Sequence, residues 1–312
     1  MITVLTGGTG GAKFVWGLAQ IVPAEELTVV VNTGDDLRWW GLHVSPDLDS
    51  VMYALAGKLS RDRGWGYDAD TFRCLEHMRS LGADAWFQLG DIDLATHLRR
   101  TQLLRQGKTL TQTTAELCRA MGVTQTLLPM SDDPVQTIVT TPDGDLAFQE
   151  YFVRERCRPT IAAVTFLGAE NASSAPGVLQ SIAQSDLILI APSNPVTSIG
   201  PILAVPGVRD TLCCATAQVF AVSPVIGNAA VSGPAGDMLK MRGFEVSAAG
   251  VAACYRDFLD VLIADSQDER TRPEIEATGV HPQFANTLMR SDDDRIALAK
   301  FALSAVAREA AQ

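Results

Sequence analysis

Five polar loops rich in glycine and proline punctuate this chain, and several directly follow runs that read as buried strands. In order they are TGGTGGAK (6–13), NTGDD (32–36), MSDDP (130–134), APSNPVTSIGP (191–201) and SPVIGNAAVSGPAG (223–236). The apolar runs at 2–5, 27–31, 187–190 and 219–222 precede four of them. In open α/β sheets, ligands gather at the carboxyl ends of strands, where free backbone N–H groups and helix N-termini meet anions. Five such loops on one rim predict a long phosphate-handling cleft, and hence an enzyme acting on a nucleotide-type substrate.

The rest of the pattern agrees with that architecture. After the first two strands, SPDLD at 45–49 signals a helix start, with Ser45 as N-cap, Pro46 at the first helical position and carboxylates in the first turn. Helical periodicity recurs over 51–59, 71–81, 94–104 and 113–121. Beyond residue 125 the pattern turns to strands. Runs at 137–141 and 146–152 flank the hairpin signal Pro142-Asp143-Gly144-Asp145, and another strand reads at 161–166. Alternation then resumes, with a helix at 176–184, strands at 187–190, 219–222 and 261–264, and a closing amphipathic helix at 292–310. The predicted fold class is α/β: a Rossmann-like, mostly parallel sheet with a helical insertion and a β-hairpin. It is read as one domain over 1–312, with the helical sub-domain at about 45–122 and the hairpin region at about 136–167.

Composition narrows the function classes. Hydrophobic residues make up 47% of the 312, ample for a sizeable core. The formal charge of −11 argues against general nucleic-acid or anionic-membrane binding, which wants a basic face. An acidic protein with an anionic substrate must concentrate its positive field locally or import a metal ion. The six cysteines are scattered apart from the adjacent Cys213 and Cys214, and no CxxC pair occurs, which argues against a structural zinc site. Met1 runs straight into the first strand, and no apolar run approaches the ~20 residues of a membrane span. The expectation is a cytoplasmic protein with reduced thiols.

Within the first loop, Gly7, Gly8, Thr9, Gly10 and Gly11 would let the backbone approach an anion closely, with the helix dipole adding positive potential. Lys13 opposes that dipole unless something negative sits beside it. A Walker A loop fails because Phe14 follows Lys13, and the dinucleotide fingerprint fails because Lys13 stands where its last glycine belongs. Asp35, Asp36, Asp47 and Asp49 cluster after the second strand. As plain helix-start carboxylates, Asp47 and Asp49 are worth about 0.3–1 kcal/mol each; as functional groups they would hold Mg²⁺ or accept a proton from an attacking hydroxyl. Ser131, Asp132 and Asp133 form a second acidic loop that also reads as a capped turn. Ser193, Asn194, Gly227 and Asn228 place small polar groups suited to phosphate, ribose or a base edge. Trp39, Trp40 and Trp65 offer stacking surfaces or core packing. His43, His77, His97 and His281 lack metal-ligand spacing and read as structural or surface residues.

Taken together, GGTGGAK, VVVNTGDD, SPDLDSVMYALAG, QLGDIDLATHLRR, LLPMSDDPVQT, APSNPVTSIGPIL and VSPVIGNAAVSGPAG resemble the 2-phospho-L-lactate transferase family, over residues 2 to about 290. The resemblance implies a Rossmann-like, usually dimeric enzyme that builds the phosphodiester of coenzyme F420. Such enzymes move a phospho-three-carbon acid (lactyl, enolpyruvyl or glyceryl) from its GDP-activated form to the ribityl hydroxyl of the deazaflavin Fo. They release GMP and use Mg²⁺. By the same resemblance Asp49 is the expected acceptor-contacting aspartate, and its chemistry makes it the candidate catalytic group that orients or deprotonates the ribityl hydroxyl. A second acceptor contact falls on Gln88, where a basic residue is expected in some relatives. Asp47 and Asp35 are the expected metal ligands. The glycine loop with Lys13, and then Ser193, Asn194, Gly227 and Asn228, are the expected nucleotide and phosphate contacts. A related group of nucleotide-sugar-sensing regulatory proteins shares the GGTGG loop, but the SPDLDSVMYALAG and QLGDIDLATHLRR runs resemble the transferases. A dehydrogenase is disfavoured by the broken fingerprint and by Asn32, which stands where an acidic residue would end the second strand.

Overall fold

The computed structural model describes residues 1–309. Its centre is a seven-stranded, all-parallel sheet. We number its strands β1 (Ile2–Thr6), β2 (Leu27–Val31), β3 (Thr126–Pro129), β4 (Leu187–Ile190), β5 (Gln218–Val222), β6 (Val261–Asp265) and β7 (His281–Ala285). Their spatial order is β7-β6-β5-β4-β1-β2-β3, the doubly wound arrangement of nucleotide-binding α/β proteins.

The inner strands are near-continuous runs of Val, Ile and Leu because both faces of a parallel sheet are covered. Alternate residues feed two separate cores. Val4, Val29, Val31, Leu189, Phe220 and Ile263 point to one face, against Phe14, Val15 and Leu18 of helix α1 (Gly8–Ala19). Helix α2 (Pro46–Leu55) and the closing helix (Asp292–Glu309) pack into the same layer. Leu5, Val30, Ile188, Ile190, Ala221 and Leu262 point to the other face, against the short helices that precede and follow β4 and β5. The chain after β1 therefore climbs one face and the chain after β4 climbs the other. Their divergence opens a crevice at the carboxyl edge between these two neighbouring strands.

Several boundaries differ from the sequence expectation. The first helix begins at Gly8, not Phe14, because the first turn needs no intrahelical donors and here wants residues without side chains. The expected strand at 146–152 is only Gly144–Ala147, followed by a helical turn, Glu150–Arg154. That turn lets Phe148 and Phe152, four residues apart, stack at 5.6 Å; an extended strand would hold them about 13 Å apart. The sheet's outer strands, β3 and β7, carry Pro129 and Pro282, residues tolerated only at edges. Helices α3 (Arg73–Ser80), α4 (Asp91–Arg105) and α5 (Leu110–Ala120) lie between α2 and β3. The hairpin strand Gln136–Thr141 pairs with both Gly144–Ala147 and Ala163–Leu167. The end of the predicted closing helix, Ala310, lies outside the described residues. Among the described residues no helix is long and apolar enough to cross a membrane.

Gly17 marks the closest contact of α1 with the closing helix: a Cβ there would run into the carbonyl of Arg295. Gly17→Ala should cost about 1–3 kcal/mol through this backbone clash. Urea denaturation checks this, and an unchanged midpoint would show that the two helices can separate freely.

Candidate active site

Glycine at the head of α1 is dictated by close approach. A Cβ on Gly10 would lie 2.6 Å from the carbonyl oxygen of Pro192, just beyond β4. One on Gly11 would overlap Thr6 Oγ1. Across this seam Ser193 Oγ donates to the Gly7 carbonyl (2.6 Å) and accepts from the Gly7 N–H (3.2 Å). Asn194 turns inward as well: its Oδ1 accepts from the N–H groups of Val196 (2.9 Å) and Thr197 (3.4 Å). Ser193 and Asn194 thus build the rim from within, with their polar atoms already committed. Gly227, at a positive φ of 60°, donates its N–H to both carboxylate oxygens of Asp268 at 2.8 and 3.0 Å. It forms with Asn228 the turn of a small hairpin beyond β5. Because the sheet is parallel, all five predicted loops share its carboxyl edge, following β5, β4, β1, β2 and β3 in spatial order.

Lys13 does not join this mouth. It sits in the second turn of α1 and lines a different cavity, beside Trp16 and Arg295. Burial and the Arg295 charge hold its ammonium below the usual lysine range.

Against the glycine loop stands a desolvated group of carboxyls. A Cβ on Gly7 would come within 2.7 Å of Asp47 Oδ2, so this carboxylate lies against the loop itself. Asn32 ties three segments together here. Its Nδ2 donates to Asp47 (3.0 Å) and to the Thr197 carbonyl (3.4 Å), and its Oδ1 accepts from the Gly34 N–H (2.8 Å). Asp35 is 4% exposed, and its Oδ1 has no partner. Burial, then the charges of Asp47 and Asp36, pushes Asp35 well above the ordinary carboxylate range. Burial likewise lifts Asp47 to about 6. Asp36, also raised by burial, accepts from His43 Nε2 (2.8 Å) and Ser45 Oγ (2.7 Å). Ser45 does hold the N-cap position of α2, but its hydroxyl serves Asp36 and makes no cap bond. Asp35 and Asp47, with an orphaned buried oxygen and raised pKa values, fit a divalent cation, which takes carboxylate oxygens and relieves such repulsion.

Asp49 belongs to a different arrangement. It is 4% exposed, and both its oxygens are gripped by the Arg100 guanidinium, the Nη1–Oδ2 bond measuring 3.0 Å. Arg100, 1% exposed, also reaches His97 Nδ1 at 3.1 Å. Since Nδ1 accepts there, the network assigns the ring hydrogen to Nε2, which faces Asp93 Oδ1 at 3.2 Å. Tyr53 donates to the same Asp93 oxygen at 2.7 Å. Burial works against an ionised Asp93, yet His97, Tyr53 and Arg100 hold it below the usual range. Asp93, His97 and Arg100 fall at i, i+4 and i+7 of α4, opposite Asp49 and Tyr53 at i and i+4 of α2, so each set occupies one helical face. Oxygens and nitrogens of Asp49, Asp93 and His97 come within 4.8 Å of one another, spacing that resembles a metal centre. The Arg100 cation already fills that role.

Sequence reasoning took His97 as structural or surface and passed over Arg100, Asp93, Asn32 and Tyr53. The D-x-x-x-H-x-x-R spacing in α4 was the available signal. Gln88 is exposed between buried Phe87 and Leu89, beside the packed rings of Trp39 and Trp86. Among the described residues no hydrogen bond joins it to Asp49.

Comparison with known proteins identifies the chain's relatives. Residues 2–298 match the family model for 2-phospho-L-lactate transferase CofD. A 2-phospho-L-lactate transferase of Methanococcoides burtonii is 46% identical over 288 residues, 92% of this chain and 94% of that protein. A phosphoenolpyruvate transferase of Streptomyces griseus is 43% identical, covering 97% of each. A UPF0052-family protein from Bacillus halodurans, of known crystal structure, superposes with a TM-score of 0.68 at 16% identity, covering 97% of this chain and 98% of that one. That last likeness speaks to the fold alone.

Two stability measurements probe the site without its substrates. Arg100→Met strands the buried Asp49 carboxylate and should cost roughly 3–5 kcal/mol, while a double variant that adds Asp49→Asn should recover much of the loss. Chemical denaturation reads both. Asp47 has its pKa raised from 3.8 to about 6. Its contribution is therefore fully present below about pH 4 and lost as pH rises through about 6. Asp47→Asn should stabilise the metal-free protein by about 1–3 kcal/mol at pH 7.5 and leave it nearly unchanged at pH 4. Thermal melts in EDTA test this, and a variant equally stabilised at both pH values would refute the raised pKa.

Proposed function

The chain belongs to the 2-phospho-L-lactate transferase family, and from that premise we propose that it transfers a phospho-three-carbon acid from its GDP-activated form to the ribityl hydroxyl of the deazaflavin Fo, releasing GMP. The observation that carries this reading is the desolvated Asp35–Asp47 pair set against the glycine mouth, at the crevice where the sheet changes winding direction. A diphosphate is the ligand such a place suits. The N–H groups heading α1 have no intrahelical acceptors and face the anion with the positive end of the helix. Asp35 and Asp47 would hold Mg²⁺, which neutralises charge on the diphosphate.

The chemistry asks little more than alignment. The acceptor hydroxyl oxygen attacks the phosphorus that carries the acid, and the bond from that phosphorus to the oxygen bridging to GMP breaks. GMP departs with that oxygen, and the hydroxyl proton leaves to a carboxylate. We assign hydroxyl orientation and proton acceptance to Asp49. Arg100 fixes its carboxylate plane, while each oxygen keeps a lone pair for a further donor. A carboxylate fixed in place supplies the orientation on which in-line attack depends. Ser193, Asn194 and Asn32 act one step back, by fixing the rim and the Asp47 carboxylate. The loop of Gly227 and Asn228, beyond β5, is the proposed guanosine side.

Purified protein, Fo and Mg²⁺ incubated in parallel with the lactyl, enolpyruvyl and glyceryl GDP donors should yield a phosphodiester of Fo with one of them, read by mass spectrometry. Asp49→Asn should lower kcat by about 10²–10⁴. Absence of product with every donor would overturn the assignment.

A further inference from the structure

The cavity that holds Lys13 is distinct from the glycine mouth. It lies between the flank of α1, the 57–64 loop that follows α2, and the head of the closing helix. Three cationic side chains line it: Lys13, Arg61 and Arg295. One carboxylate, Asp292, serves two of them, at 2.9 Å from Arg61 and 3.0 Å from Arg295. The neighbouring Asp294 is committed to the backbone N–H groups of Arg290 and Ser291. Among the described residues, no carboxylate comes within ion-pair distance of Lys13.

Lys13 is thus a half-buried ammonium, near the positive end of a helix and beside a guanidinium, with nothing to compensate it. Arg295 is also underused. Its plane is fixed over the Trp16 ring at 5.5 Å, and its buried Nε has no hydrogen-bond partner. The wall opposite is open: Gly57 and Gly64 adopt φ values of +67° and +73°, with nothing within 4 Å of where a Cβ would stand. In a chain of net charge −11, a solvent-open pocket with three cations around one carboxylate is a local reversal of sign.

We propose that this cavity is a second oxyanion site that takes a phosphate group. Two guanidinium groups supply planar, paired donors and the lysine a mobile point charge, a set that matches the several acceptor oxygens and double charge of phosphate better than chloride or a single carboxylate. The phosphate completes the ion pairing of Lys13. Free phosphate and the terminal phosphate of a small monoester share this chemistry.

Titrating ¹⁵N-labelled protein with inorganic phosphate in EDTA, at ionic strength held constant with chloride, locates the site directly. Saturable amide shifts are expected at Ser60, Arg61 and Gly64. Lys13→Met and, separately, Arg61→Gln should weaken binding by roughly tenfold each, as loss of one charge-assisted bond does. Arg61 is a largely exposed side chain, so its variant folds independently of the outcome. Glycerol 2-phosphate run alongside identifies the source: tighter binding than phosphate assigns a monoester, weaker binding assigns the free ion. Shifts confined to Gly8, Gly10 and Gly11, or binding unchanged in both variants, would overturn the proposal.

Discussion

The rim of this protein depends on how closely the chain passes itself between the ends of β1 and β4. Side-chain-free positions at Gly7, Gly10 and Gly11 let two strand-end loops touch, and the Ser193 hydroxyl closes the seam with two bonds to the backbone of Gly7. Asp47 then reaches the loop, Asn32 ties Asp47 to the β4 side, and the carboxyl group of Asp35 is shut away from water. A methyl group at Gly10 or Gly11 would push the loops apart and admit solvent. That would remove the desolvation on which the raised pKa values rest.

Two buried acidic groups within a few residues of each other are handled in opposite ways. Asp49 is gripped by the Arg100 cation, and Asp93 takes a hydrogen bond from Tyr53 and faces His97, so both carboxylates have partners inside the protein. Asp35 and Asp47 are buried with hydrogen bonds but, among the described residues, no basic side chain to pair with, and the charge of Asp47 raises Asp35. Bringing two like charges together out of water costs far more than the few tenths to one kcal/mol a helix-start carboxylate returns. A folded chain carries such a cost where a ligand relieves it. The contrast separates a carboxylate fixed by a guanidinium from a pair that the proposed cation would relieve.

Much of this was legible in the sequence, and the gaps have physical causes. Strands buried on both faces announce themselves as apolar runs, so β1, β2, β4, β5 and β6 and the loops after the first four stood out. The edge strands β3 and β7 did not, because half-covered strands carrying proline lose the continuous apolar signal. Loop chemistry was read as facing outward; Ser193 and Asn194 face inward because exposed backbone at a tight rim needs partners first. Lys13 was placed at the mouth by its nearness in sequence to the glycines. At 100° per residue, the five positions that separate it from Gly8 carry it well around the helix, and it faces the closing helix instead. The grip of Arg100 on Asp49 joins residues 51 apart, which no local pattern reports.

An acidic enzyme with the diphosphate substrate proposed above faces a field problem, which this fold can meet without a basic surface. Positive potential comes from the head of α1, would come from the cation proposed for the Asp35–Asp47 pair, and comes again from the Lys13 cluster on the helix flank. The first is a consequence of β1 leading into α1 through glycine, so it comes with the topology itself. The second would be switchable, since carboxyl groups bind a cation only once their protons are gone, and burial lifts Asp47 to about 6. Below that pH the mouth is closer to neutral; above it a bound cation would relieve the repulsion between the carboxylates. The net charge of −11 then works against nonspecific anions everywhere except where these local sources outweigh it.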